Sequence, residues 1–483
     1  MGVPACFITR VKLRNFKSIA TCDVALRPLT FLVGPNGSGK SNFVDSLRLV
    51  RDGLRFSLDH AMRERGGVKE IRRRSAGHPT HFEIDLTFRL EAGREGRYRF
   101  KIGAPALGEY EVQSEALEVD TADSLSRAFF EVRRGEVTGS SAETPPAAAS
   151  DRLYLVNASG LPEFRPVYDA LSRMGFYNLN PDRIRELQDP DSGELLSRDG
   201  SNLAAVYKRL SHDDKARASR VEEYLARVVP GVSGVEAKSL GPKETLEFRQ
   251  AVTGSANPWR FPATSVSDGT LRALGVLVAL FQFSGNGRRS KGASLVGIEE
   301  PEAALHPAAA GVLLGALREA SEATQVLVTS HSPDLLDDDS IETSSLLGVA
   351  ATAGATQVAP IDPAGREALR ERLYTAGELL RLDQLRPDPS LVDNARYVQA
   401  HLFDAETEEV QRSWVDAYRV LEQAGYAQAI ADRLLEDLRG FMVSNQTGTS
   451  SLRPENYHFM TFRQLIAHKE EIMGAFEKFI RSL

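Results

Sequence analysis

Residues 7–16 alternate apolar and polar side chains as a half-buried strand does, and residues 20–26 alternate again. Pro28 then precedes a continuous apolar run, 29–33, short enough to be a buried strand, and 43–50 has the spacing of a helix. Alternation returns over 81–90, 97–102 and 110–119 and predicts an antiparallel sheet, whereas 137–150 lacks period and apolar bulk and predicts a flexible surface loop. Helical spacing governs 167–174, 202–211 and 215–229, followed by strand patterns at 234–240 and 245–252. A strongly apolar helix is predicted over 271–283, buried strands over 294–298 and 324–330, and helices over 367–383 and 391–403. The C-terminal stretch carries two amphipathic helices, one with Val410, Trp414, Ala417 and Leu421 on a face, the other with Phe462, Leu465, Ile466, Ile472, Met473, Phe476, Phe479 and Ile480.

A chain of 483 residues suggests two or three domains. The pattern divides it into 1–165, an inserted mainly helical lobe at 166–232, a return at 233–403 and a helical tail at 404–483 that could serve as an interaction module. With 42% hydrophobic and 26% charged residues, and no apolar run near the ~18 residues of a membrane span, it reads as a soluble protein without a membrane segment. No basic-then-apolar leader opens it, so a cytoplasmic location is expected. Cys6 and Cys22 are too few for a disulfide scaffold or a cysteine-built metal site. The net charge of −7 leaves nucleic-acid binding to a local patch. The run Arg63, Arg65, Lys69, Arg72, Arg73, Arg74 is the candidate for such phosphate contacts, with an ordinary solvated face as the alternative.

The chemistry concentrates at Gly34-Pro-Asn36-Gly37-Ser38-Gly39-Lys40-Ser41-Asn42, which fits G-x-x-x-x-G-K-[ST] between a strand and a helix. Glycines let several backbone N–H groups point at one anion, and the following helix adds the positive end of its dipole. Lys40 can reach the β- and γ-phosphates of a nucleotide, and the Ser41 hydroxyl can ligate Mg²⁺. Later, the apolar strand 294–298 ends in Glu299-Glu300-Pro-Glu302, and a second buried strand ends in Ser330-His331-Ser-Pro. The ends of parallel strands beside a phosphate loop converge on the phosphates.

The opening I-T-R-V-K-L-R-N-F-K-S-I followed by L-T-F-L-V-G-P-N-G-S-G-K-S-N-F-V-D-S-L resembles the N-terminal half of the ABC-type ATPase head of the RecF, SMC and OLD-like group. The later V-S-D-G-T, E-E-P-E-A-A-L-H-P and T-S-H-S-P stretches are similar to that group's signature, Walker B with D-loop, and switch-histidine motifs, in the same order. The resemblance implies an α/β fold: an ABC-type P-loop head with a mixed sheet, an antiparallel N-terminal part, an inserted helical lobe and a helical tail. It implies ATP and Mg²⁺ as cofactors, with Glu300 directing water, Lys40 and His331 on the γ-phosphate, Ser41 and Glu299 on the metal side, and Ser267 and Gly269 addressing the nucleotide of an opposite subunit. Glu299 stands where the group usually has Asp. The group's Gln between the P-loop helix and the next strand is missing, and His78 is the nearest substitute.

The heptads of an SMC arm are absent, and the tail is too short and helical for the Toprim nuclease of OLD proteins. The implied protein is an ATP hydrolase forming a homodimer or higher homo-oligomer through ATP-sandwiched heads. Three roles fit: the ATPase or sensor subunit of a prokaryotic anti-phage defence complex with a separate effector, a RecF-like repair clamp on double-stranded DNA, or a scaffold in which ATP is structural.

Overall fold

The alternating N-terminal segments pair as antiparallel ladders and the continuous apolar runs become parallel strands, in a computed structural model that describes residues 7–392 apart from 76–78, 91–92, 105–109, 122–125, 256 and 283–293. The described residues fall within one compact unit, Met1–Asp393. The expected tail at 404–483, nearly all of the expected 391–403 helix, and His78 lie outside the described residues.

The strands are β1 (Ile8–Phe16), β2 (Ile19–Ala25), β3 (Leu29–Val33), β4 (His81–Arg89), β5 (Glu95–Gly103), β6 (Glu111–Asp120), β7 (Arg127–Arg133), β8 (Glu136–Ser140), β9 (Gly175–Tyr177), β10 (Val232–Leu240), β11 (Lys243–Gln250), β12 (Trp259–Pro262), β13 (Leu295–Glu299), β14 (Gln325–Ser330), β15 (Leu346–Thr352) and β16 (Ala355–Pro360). The helices are α1 (Lys40–Arg55), α2 (Leu58–Arg63), α3 (Val68–Ile71), α4 (Tyr154–Ala158), α5 (Arg165–Ser172), α6 (Pro181–Arg185), α7 (Leu203–Asp213), α8 (Lys215–Val228), α9 (Asp268–Phe281), α10 (Ala310–Ser321), α11 (Pro333–Leu336), α12 (Pro363–Arg370) and α13 (Ala376–Arg381).

One sheet of thirteen strands runs β8-β7-β6-β5-β4-β1-β2-β16-β15-β3-β14-β13-β9, and β10, β11 and β12 form a second. In the large sheet β15, β3, β14, β13 and β9 are successively parallel. From β8 to β2 every pairing is antiparallel. The parallel strands read as unbroken apolar runs because both their faces are covered. Successive side chains serve opposite cores, as the period of two requires. Leu32, Leu327 and Leu295 join Phe43, Leu47 and the apolar face of the antiparallel wing. Phe31, Val33, Val326, Val328 and Ile298 join α8, α9 and α10. Every residue of α9 from Ala273 to Phe281 is buried, so truncating Leu274 to Ala costs about 2–5 kcal/mol.

Three expectations change. The start of the 137–150 loop is β8, whose Glu136 and Val137 pair with Arg133 and Val132, because a short edge strand needs backbone partners more than apolar bulk. The 166–232 lobe is not set apart from the head, since β9 within it pairs in parallel with β13 and the Tyr168 hydroxyl donates to the Leu54 carbonyl of α1. Its longest helix is α8, at 14 residues. Finally, the single helix expected over 367–383 is split into α12 and α13, with Arg372 at φ +55° between them and Thr375 forming a capping box with Glu378.

Candidate functional site

β3 ends at Val33, and the backbone turns back over Gly34 to Gly39 before α1 begins at Lys40. Gly39 caps that helix at φ +102°, and a Cβ there would overlap the Thr356 hydroxyl. Thr356 buttresses the turn from behind. Its hydroxyl donates to the Ser38 carbonyl at 2.8 Å and lies 2.7 Å from the Ser18 hydroxyl, which accepts from the Asn42 amide at 2.6 Å. Asn36, Gly37 and Ser41 are exposed, while Ser38 and Lys40 are buried.

The Lys40 ammonium donates to the Gly34 and Pro35 carbonyls at 2.7 and 3.0 Å. Burial lowers its proton affinity, and the carboxylates of Glu300 and Glu302 pull it back up. Those two residues follow β13, which is separated from β3 only by β14. The carboxyl ends of β3, β14 and β13 therefore open on one edge, and the register pairs Val33 with Ser330 and Thr329 with Glu299.

At that edge the side chains are tied in pairs. Glu299 accepts from the Arg198 guanidinium at 2.9 Å. Glu300 Oε1 lies 3.1 Å from His331 Nδ1, both side chains being about two-fifths exposed. Glu302 is half-buried and accepts from the Ser330 hydroxyl at 2.6 Å, and desolvation raises its pKa above the ordinary carboxylate value. Ser38 Oγ and Glu302 Oε2 are buried without a hydrogen-bond partner. Both atoms lie in the one region where a polyanion and its cation would supply partners.

The first turn of α9 adds a further polar tip. Ser267 caps it by accepting from the Thr270 N–H at 3.3 Å, and Asp268 is paired with Arg185 of α6. A Cβ on Gly269 would overlap the Ala304 carbonyl, so this turn sits directly on the loop that follows Glu300.

Of the expected site residues, the P-loop, Glu299, Glu300 and His331 meet at one edge of the sheet. Ser267 and Gly269 approach it through the 300–304 turn. The basic run is dispersed. Arg65 is a correction: its side chain is buried against Asp45 and Asp52 of α1, so it offers nothing to an external phosphate. Arg63 pairs with Asp59, and Arg74 with Glu70. Lys69 stays exposed, with Arg72 and Arg73 half-buried.

Four residues at the edge went unread in the sequence. Glu302 was visible in E-E-P-E. Arg198, Arg272 and Asn178 were not, because they come from the lobe and from a helix interior. Asn178 is exposed immediately after β9, the strand parallel to β13.

Comparison with known proteins gives one family match over more than half the chain: the family described as "AAA domain, putative AbiEii toxin, Type IV TA system" matches residues 29–337. Structural maintenance of chromosomes protein 1 of Schizosaccharomyces pombe is 21% identical over 278 residues, covering 50% of this chain and 22% of that protein. The DNA replication and repair protein RecF of Vibrio vulnificus is 40% identical over 50 residues, 10% of this chain and 14% of RecF. The chain thus matches less than a quarter of the length of either relative. Among solved structures, an SmcHead bound to the C-winged helix domain of ScpA aligns over 74% of this chain and 99% of that one, with a TM-score of 0.46 and 15% identity.

Proposed function

We propose, from the premise that this chain belongs to that AAA-domain family and is an ABC-type ATPase related to RecF and SMC proteins, that it is a Mg²⁺-dependent ATP hydrolase whose heads close on bound ATP and part after hydrolysis. The observation that carries this reading is the convergence of Lys40, Glu299, Glu300 and His331 on one edge of the parallel sheet. In it, Gly34, Asn36, Gly37, Ser38, Gly39, Lys40, Ser41 and Asn42 cradle the phosphates, and Glu300 directs the attacking water. Lys40 and His331 stabilise charge on the γ-phosphate, and Ser267 and Gly269 address the nucleotide of the opposite head.

Among the described residues no group of three or more His, Cys, Asp or Glu could hold a metal ion. The donor set still suits Mg²⁺, which takes one or two protein oxygens and completes its shell with phosphates and water. Ser41 and Glu299 would supply those oxygens.

Glu300→Gln tests the assignment. Removing a general base costs about 10²–10⁴-fold in turnover while leaving nucleotide binding in place. Light scattering on that variant should show mass rising to a dimer only with ATP and Mg²⁺. Near-normal phosphate release from it would refute the role given to Glu300, and an unchanged mass would refute the switching clamp.

The biological setting proposed is an ATPase or sensor subunit of a prokaryotic anti-phage defence complex acting with a separate effector. The family's own description, which names a toxin and a type IV TA system, supports this. Recovery from the native host of the chain alone would count against it. A second reading, a RecF-like clamp on double-stranded DNA, is favoured by the names of the relatives. Changing Arg72, Arg73 and Arg74 together to Glu should then weaken binding and flatten its salt dependence, and an unchanged salt slope would sink that reading.

A further inference from the structure

We propose that Arg272 is the positioning residue for Glu300, and that through it the first turn of α9 sets the general base of its own head. The proposal rests on the ATPase reading above and deepens it.

Glu300 has a left-handed backbone, φ +47°, and so does Ala304 at +64°. A non-glycine residue there is held against a conformational cost and persists only where its surroundings over-determine it. Here they do so from both sides of the residue. Its N–H donates to the Thr329 carbonyl of β14 at 3.0 Å. Its carbonyl accepts from Arg272 Nη2 at 3.1 Å, and the same nitrogen lies 3.3 Å from the carbonyl of Glu299. Arg272 Nη1 donates to the Leu179 carbonyl at 2.7 Å, tying in the turn that follows β9.

One guanidinium therefore spans three carbonyls from two segments and fixes the direction in which the Glu300 side chain leaves the backbone. A planar fork can do this, whereas an ammonium at the end of a flexible stem cannot reach all three at once. Burial works against the charged guanidinium, and the carboxylates of Glu300, Glu302 and Glu299 counter part of that cost.

Arg272 lies on α9, which is capped by Ser267 and carries Gly269 in its first turn, about 6 Å of helical rise from Asp268 at its start. Gly269 sits on the Ala304 carbonyl. The start of α9, Arg272 and the 299–304 segment are thus joined at two points. A nucleotide engaging Ser267 and Gly269 from the opposite head would shift Glu300 of this head. Each base would then respond to the partner's nucleotide as well as to its own.

The test uses the full chain with Arg272→Lys and Arg272→Met, reading steady-state kcat and KM, binding of a fluorescent ATP analogue, and thermal melting. The expected result for Arg272→Lys is kcat lower by about 10–100-fold, as an ångström-scale misplacement of a catalytic group produces, with analogue Kd within about twofold of wild type and an unchanged melting temperature. Arg272→Met should fall further in kcat, and if it does not fold, Arg272→Lys alone decides. Wild-type kcat in Arg272→Lys overturns the proposal, as does a loss of kcat matched by equal losses in binding and melting temperature. Absence of phosphate release by the wild-type chain would be a different failure, that of the ATPase reading, and this proposal would fall with it.

Discussion

Arg65 donates to Asp45 and Asp52 from a side chain that is 2% exposed, while Lys17 and Arg48 reach Asp45 at 2.7 Å and Arg51 reaches Asp52 at 2.6 Å. The cations hold the Asp45 carboxyl below its ordinary pKa against its burial. Breaking such a network from inside costs about 3 kcal/mol, so Arg65→Ala should lower the denaturation midpoint clearly, whereas Arg63→Ala on the open surface should change stability by less than about 0.5 kcal/mol. Chemical denaturation of the two variants checks the contrast. In sequence the two arginines looked alike, because a run of positive charge does not say which members have acids behind them. The available signal was Asp45 and Asp52, two helical turns apart on one face of the P-loop helix. The motif residues were legible for the opposite reason, since phosphate chemistry dictates both their type and their spacing. Arg198 belongs to the unread group, and it occupies the carboxylate proposed for the metal side. Arg198→Gln should lower the Mg²⁺ concentration needed for half-maximal binding of a fluorescent ATP analogue by up to about fivefold, the size of a partly exposed ion pair.

Among the elements, α4 is held at its start by a side chain from the sheet. Glu115 of β6 accepts from the Tyr154 and Leu155 N–H groups and from the Tyr98 hydroxyl, and burial pushes its carboxyl from 4.5 up to about 7. The folded pKa lies above the unfolded one, so its contribution is fully present below about pH 4.5 and is lost as pH rises through 7. The wild type should therefore lose about 3 kcal/mol of stability relative to Glu115→Gln between pH 4.5 and 8. Urea unfolding of both at several pH values measures it, and a constant difference would remove Glu115 from the account. At the start of α9, Gly269→Ala should cost about 1–3 kcal/mol by pushing on the Ala304 carbonyl, read as a lower melting temperature. Helices with a full apolar face, such as α8 and α9, were legible from their period. The three residues of β9 were not, because a strand that short shows no alternation and is defined by its partner β13.

For the molecule as a whole, the alternating segments foretold the antiparallel part of the sheet and the unbroken apolar segments its buried strands, while the mixed sheet that joins them was implied by the family resemblance. The order of motifs foretold which strand ends would meet. It did not foretell the depth of the junction between lobe and head, which rests on backbone pairing and on single donors such as Tyr168 and Arg272. Among the described residues no helix is long and apolar enough to cross a membrane.

A thirteen-stranded open sheet must end somewhere, and the strand first read as loop closes one end. β8 covers β7, whose Ala128, Phe130 and Val132 face the core while its backbone would otherwise present unpaired donors and acceptors. Replacing 136–140 with a flexible linker would bare that ladder. The consequence would be edge-to-edge polymerisation of the head, visible as fibrils or turbidity long before any loss of the nucleotide edge on the far side of the sheet.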